Sequence, residues 1–158
     1  MAENVTPPVQ GEEESVRQGA TSERLREKLG GCIRTGEITL SSGKVTDFYF
    51  DGRLVSLDPE GSVLIAELML DALEARGISA VGGLTSGADP LTSSIGVLAW
   101  QKGLAMNLFF VRKERKEHGM QQRVEGPPLP AREGLKVALV DDVLTTGGSL
   151  LQAREALV

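Results

Sequence analysis

The sequence predicts an α/β domain in which helices cover a parallel sheet, on three observations. Short apolar runs rich in β-branched residues, above all Val137 to Val140, lack polar alternation, as strands buried on both faces do. Between such runs lie stretches with apolar residues at helical spacing. Strands and helices alternate along the chain, which is the order that a parallel sheet with crossover helices requires. The length of 158 residues suits one domain, and no internal repeat is present.

Residues 1–20 are expected to form a disordered tail. Up to Gln18 the segment is polar, with Pro7, Pro8 and Glu12-Glu13-Glu14, and it has too little apolar surface to offset ordering entropy. The domain is expected over 21–158. Thr21 or Ser22 can cap a first helix with Leu25, Leu29 and either Cys32 or Ile33 on one face. Gly30-Gly31 weakens its end and Gly36 stops it. Ile38 to Asp51 reads as two short strands around the turn Ser41-Ser42-Gly43-Lys44. Phe48 and Phe50 alternate with Tyr49 there, so the two faces of the hairpin differ.

Asp58-Pro59-Glu60 is a helix start: an N-cap aspartate, proline at the first position and an acid in the first turn. Ile65, Leu68, Met69, Ala72 and Leu73 continue that helix until Gly77. Ala80-Val81 opens a buried strand, followed by the small-residue loop Thr85 to Pro90. Leu91 to Trp100 gives a second helix, stopped by Gly103, and Met106 to Val111 a further strand. Arg112 to Pro130 has no clear periodicity. Val137 to Val140 is the last strand before a final helical pattern.

Composition narrows the function. The 17 basic and 22 acidic residues leave a net charge of −5, which argues against a general nucleic-acid surface. The single cysteine, Cys32, excludes an internal disulfide framework and a cysteine-based metal site, and fits a reducing cytoplasm. No apolar run approaches the roughly 18 residues of a membrane span, and no signal peptide is evident. Glycine is 19 of 158 residues, an excess expected in turns and ligand loops.

The chemistry gathers at 136–149. The strand Val137 to Val140 ends in Asp141 and Asp142; Val143 and Leu144 follow, then Thr145, Thr146, Gly147, Gly148 and Ser149, then a helix. Ligands of open α/β sheets bind outside the carboxyl ends of strands. Two carboxylates can accept hydrogen bonds from sugar hydroxyls or hold a hydrated cation. A glycine-rich loop at a helix N-terminus can cradle a phosphate. The pattern is that of a sugar-phosphate site. It matches neither Gly-x-x-x-x-Gly-Lys-Ser/Thr nor Gly-x-Gly-x-x-Gly, so nucleotide triphosphatase and dinucleotide folds gain no support. The segment from Arg112 to Arg123 holds five basic residues against two acids in an otherwise acidic chain. It leaves the same side of the sheet as Asp141, where a mobile cationic loop can clamp an anion and stabilise a departing oxyanion.

These residues carry a resemblance. Val137 to Ser149 resembles the phosphoribosyl-pyrophosphate signature of type I phosphoribosyltransferases. Arg112-Lys113-Glu114-Arg115-Lys116-Glu117-His118-Gly119, with Glu125-Gly126, resembles the mobile catalytic loop of the orotate phosphoribosyltransferase family. Ser42-Gly43 with Asp47 to Asp51 resembles that family's N-terminal hood. The resemblance covers about 22–158. It implies a parallel sheet flanked by helices with a small hood, and transfer of ribose 5-phosphate from phosphoribosyl pyrophosphate to orotate, with Mg2+. It implies that Asp141 and Asp142 bind the ribose hydroxyls, directly or through magnesium-bound water. It further implies that Thr145, Thr146, Gly147, Gly148 and Ser149 hold the 5′-phosphate, that Val143 and Leu144 also belong to the phosphoribosyl-pyrophosphate site, and that Arg112, Lys113, Lys116 and His118 contact pyrophosphate. Lys116, His118 and Asp142 are the expected catalytic residues, and Phe48, Tyr49 and Thr145 the expected orotate contacts. A homodimer sharing loop 112–126 between subunits is implied too, as is a cytoplasmic place in pyrimidine biosynthesis.

The chain departs from the pattern at three places. Ser41 stands where many relatives carry a lysine. The loop Thr85-Ser86-Gly87-Ala88 lacks the lysine that many carry. The family continues past the equivalent of Val158, so the C-terminal part of the domain is expected to be missing. The alternatives that the residues leave open are a transferase for another base and a non-catalytic protein that binds phosphoribosyl pyrophosphate.

Overall fold

The structure, a computed structural model, describes residues 10–39, 43, 45–114, 123–130 and 134–157. A four-stranded sheet forms its centre, built from β3 (Ala80–Leu84), β4 (Asn107–Val111), β5 (Val124–Glu125) and β6 (Val137–Leu139) in the order β5-β4-β3-β6. β3 pairs in parallel with both β4 and β6. The short β5 runs antiparallel to β4, which makes the sheet mixed at one edge. The expected α/β class with flanking helices is what the chain adopts. The antiparallel edge arises because the chain returns beside β4 after the basic loop: Arg112 N–H donates to the Arg123 carbonyl at 2.8 Å.

The two faces of the sheet carry separate cores. Val81 and Val140 pack with Leu70 of α3 (Pro59–Glu74) and with Leu91 and Ile95 of α4 (Ala88–Gln101). Ala80, Leu84, Phe109 and Val111 pack on the opposite face with Ala153 of α5 (Gly148–Leu157). Alternation along β3 sends Val81 one way and its even-numbered neighbours the other. Burial on both faces is why these strands read as apolar runs.

The start of α3 follows its local chemistry. Asp58 is the N-cap, its carboxylate accepts the Gly61 N–H at 2.7 Å, and Pro59 occupies the first turn. The N-terminal region differs from expectation. α1 runs Gln10–Gly30, so helix occupies 10–20, where a disordered tail was expected; residues 1–9 lie outside the described part. Contacts with α3 account for it. Gln18 donates to Asp71 at 2.9 Å, and the buried Thr21 donates to Glu67 at 3.2 Å. Tertiary partners of this kind override a weak local signal.

Cys32 and Ile33 are not on that helix. The chain leaves α1 at Gly30, Cys32 is buried just beyond it, and Ile33 begins β1 (Ile33–Thr39). β1 pairs antiparallel with β2 (Val45–Phe50) and passes through Gly36, which sits at an irregularity of the ladder with φ of 117°. A glycine read as a helix stop thus serves as a bulge position. Of the turn Ser41-Ser42-Gly43-Lys44, only Gly43 is described. After β2 the chain turns through a single-turn helix, α2 (Arg53–Ser56), into α3.

Candidate active site

β3 leads through α4 to β4 on one side, while β6 lies on its other side. The carboxyl ends of β3 and β6 therefore flank a point where the direction of chain crossover reverses, the position at which open α/β sheets form a crevice. A cleft of about 210 Å³ opens there. Asp141, Asp142 and Val143 line it from the end of β6, and Thr85, Ser86 and Gly87 from the end of β3. Ser149 comes from the first turn of α5, Lys113 from the segment after β4, and Arg53 from α2.

Asp141 and Asp142 are half-buried. Burial and then the neighbouring charge of Asp141 push the Asp142 carboxyl above its ordinary value, with Arg53 acting in the opposite sense. The packing is close. A Cβ on Gly87 would stand 2.5 Å from Asp141 Oδ1 and 2.6 Å from Asp142 Oδ1, so a side chain there would have to push the carboxylates or the loop aside. Gly52 backs onto the same residue: a Cβ there would lie 3.0 Å from the Asp142 carbonyl oxygen.

Beyond the acids, 145–147 form the approach to α5, whose helix begins at Gly148. Leu151 N–H donates to the Gly147 carbonyl at 3.0 Å, which closes the first turn. Gly147 adopts φ of 79°, a conformation that L side chains rarely take. Leu144, Thr145 and Thr146 are exposed, and two of them carry hydroxyls. A helix N-terminus preceded by small hydroxylated residues is a natural phosphate seat.

The residues expected from the sequence divide into three groups. Lys113, Asp141, Asp142, Val143 and Ser149 meet in the cleft, and 144–148 adjoin it along the chain. Arg112 does not line the cleft. Its guanidinium stands 3.8 Å from Glu125, and its carbonyl accepts from Arg123 Nε at 3.2 Å. Phe48 and Tyr49 lie on β2 rather than in the cleft, Phe48 exposed and Tyr49 half-buried beside Arg53. Lys116 and His118 lie outside the described residues. Arg53 was not assigned as a ligand contact from the sequence, whereas the loop Thr85 to Pro90 reads there as small enough for a ligand to touch its backbone, and its Thr85, Ser86 and Gly87 line the cleft. The available signal was the pair of small-residue loops after strands and a cation directly after the hood strand.

Among the described residues, no group of three or more His, Cys, Asp or Glu converges as a metal cage. Asp141 and Asp142 form a two-carboxylate set. Such a set suits a hard cation that keeps several waters and takes its other ligands from a substrate.

A switch-point crevice with an acidic pair, a small-residue loop opposite it and a phosphate-competent helix start defines a type I phosphoribosyltransferase. Solved structures with that fold match closely. The orotate phosphoribosyltransferase of Mycobacterium tuberculosis H37Rv in complex with Fe(III) dicitrate superposes with a TM-score of 0.68 at 37% identity, covering 89% of this chain and 75% of that one. The same enzyme in complex with 5-phospho-α-D-ribosyl 1-diphosphate gives 0.63 at 32% identity, covering 89% and 73%. Orotate phosphoribosyltransferase of Rhodopseudomonas palustris strain BisB18 is 44% identical over 138 residues, 84% of this chain and 74% of the relative. That of Rhodopirellula baltica is 48% identical over 132 residues, 80% and 67%. No protein-family model matches the chain. The chain belongs to the orotate phosphoribosyltransferase family.

Proposed function

We propose that this protein transfers the 5-phosphoribosyl group from phosphoribosyl pyrophosphate to orotate, giving orotidine 5′-monophosphate and pyrophosphate in pyrimidine biosynthesis. The observation that carries the reading is the meeting of Asp141 and Asp142 with Ser86-Gly87 in one cleft, with the start of α5 beside it. Asp141 and Asp142 accept hydrogen bonds from the ribose hydroxyls. The exposed hydroxyls of Thr145 and Thr146 and the free N–H groups at the start of α5 hold the 5′-phosphate. Together they fix the sugar at both ends, so that its C1′ faces the acceptor.

As the bond to pyrophosphate breaks, C1′ gains oxocarbenium character and charge gathers on the leaving group. Lys113 lies in the cleft to meet that charge. Arg112, Lys116 and His118 belong to the same segment, with Lys116 and His118 the groups that act on the leaving oxygens. Phe48, Tyr49 and Thr145 are the contacts assigned to orotate. Asp141 and Asp142 would hold Mg2+, mostly through water, and their two-carboxylate set fits that ion. When bound, magnesium neutralises phosphate charge and acts as a Lewis acid.

A homodimer that shares 112–126 between subunits is part of this reading. An apolar cleft of about 590 Å³ supports it, lined by Val97 and Trp100 of α4, Phe110 and Pro127. Trp100 is 83% exposed and Val97 61%. Phe110 and Pro127 flank the basic segment in the chain, so the apolar face adjoins both ends of it. No described helix is long and apolar enough to cross a membrane. A cytoplasmic location is proposed with the activity; the single cysteine is unbonded and buried. Consumption of orotate in the presence of phosphoribosyl pyrophosphate and Mg2+ tests the reading.

A further inference from the structure

Arg53 enters the cleft from α2, and nothing above gives it a role. Asp51 grips its guanidinium side-on: Nε donates to Oδ1 at 2.8 Å and Nη2 donates to Oδ2 at 3.0 Å. The Asp51 side chain is 14% exposed, the Arg53 side chain 62%. The partners are two residues apart, so their pairing ties no distant elements together and explains little of the fold. What it does is orient. A planar guanidinium held along one edge keeps donors on its other edge, in the geometry that suits a carboxylate or phosphate. Tyr49 stands beside it as a hydrogen-bonding neighbour.

The charges in the cleft are unevenly placed. Asp141 and Asp142 face the sugar in the reading above, and the start of α5 faces the 5′-phosphate. The opposite end is formed by Thr85, Ser86 and Gly87, a loop with no cation of its own. A diphosphate seated there carries several negative charges. Among the described residues lining the cleft, Arg53 and Lys113 are the cations. Lys113 approaches from the β4 side, and Arg53 from the α2 side, next to Gly52 and Asp142.

We propose that Arg53 is a substrate-contacting residue that binds the diphosphate end of the donor, with Asp51 as the positioning residue that aims it. The proposal rests on the phosphoribosyl-transfer reading. Arg53 supplies from α2 the positive charge that the Thr85–Ala88 loop lacks.

The test is calorimetric titration of the full chain with magnesium pyrophosphate, paired with KM values for phosphoribosyl pyrophosphate and orotate taken separately. Arg53→Met is expected to weaken magnesium pyrophosphate about tenfold or more and to raise KM for the donor, with KM for orotate nearly unchanged. Arg53→Lys is expected to restore part of the loss. Asp51→Asn keeps the cation but loosens its aim, and is expected to weaken magnesium pyrophosphate by about threefold, less than Arg53→Met does; no weakening at all overturns the aiming role of Asp51. Thermal unfolding of each variant checks that it is folded. Equal weakening by Asp51→Asn and Arg53→Met overturns the proposal, because the pair then only supports the local chain. A rise confined to KM for orotate also overturns it, since Arg53 would then meet the acceptor's carboxylate. Pyrophosphate binding that Arg53→Met leaves intact overturns the role of Arg53 alone. Failure of the unsubstituted chain to bind magnesium pyrophosphate overturns the transferase reading as well.

Discussion

Gly87 lies against the Asp142 carboxylate so closely that a Cβ on it would stand 2.6 Å from Oδ1. The end of β3 and the end of β6 are therefore fitted to each other across the cleft, and the acids keep their position only while residue 87 has no side chain. Gly87→Ala forces either the loop or the carboxylates to move. Its expected effect is a loss of phosphoribosyl-pyrophosphate affinity of about tenfold or more, read by titration, with a folded chain by circular dichroism. Unchanged affinity would mean that the two loops do not form one site.

Asp142 and Lys116 are expected to fail in different ways. In the proposed mechanism Asp142 meets the sugar and the cation, so Asp142→Asn is expected to weaken donor binding. The same mechanism has Lys116 meet the leaving group as it departs, so Lys116→Ala is expected to lower kcat by roughly a hundredfold with a smaller change in KM. Steady-state kinetics with both substrates separate the two. Small and equal effects on both parameters would overturn the assignment.

α1 and α3 are joined by ions whose balance depends on pH. Arg24 donates to both oxygens of Glu60, at 2.7 and 3.0 Å, and Lys28 stands 2.6 Å from Asp58 and 2.8 Å from Glu60. Hydrogen bonds from Arg24 and then Lys28 hold the Glu60 carboxyl down at about 2, and Lys28 lowers Asp58. A carboxyl lowered in the folded state stabilises it above the unfolded pKa, and that contribution is lost as pH falls through the folded pKa. Stability is thus expected to drop as pH falls from the ordinary glutamate value of 4.5 towards about 2. Glu60→Gln should flatten part of that drop in thermal melts across the range. The same slope in both proteins would show that this network does not govern acid stability.

Trp100 offers a test of the assembly. It is 83% exposed on α4, an expensive place for a large apolar ring unless something covers it. If the proposed homodimer forms across this face, Trp100→Glu is expected to shift it to monomer in sedimentation experiments. An unaltered dimer would move the interface to another surface.

Legibility in the sequence followed how local each feature is. The Asp58-Pro59 start of α3 could be read because cap and helix are neighbours in the chain. The placing of Asp141 and Asp142 at a strand end before a helix could be read because strand, carboxylates, glycines and helix follow one another within 137–149. The extent of α1 could not, since its Gln18 and Thr21 are held by Asp71 and Glu67 of α3. Gly36 looked like a helix stop because the pairing of β1 with β2 is invisible until the hairpin is formed. Arg53 escaped assignment for the same reason, and so did the fit of Gly87 against Asp142: α2, the end of β3 and the end of β6 become one site only after the sheet is assembled.

The most direct test is a single assay with purified protein, orotate, phosphoribosyl pyrophosphate and Mg2+, following orotate loss and identifying the products. The expected result is equal formation of orotidine 5′-monophosphate and pyrophosphate, abolished when phosphoribosyl pyrophosphate is left out. Donor binding without ribosylation of orotate, or turnover with a different base instead, would contradict the account.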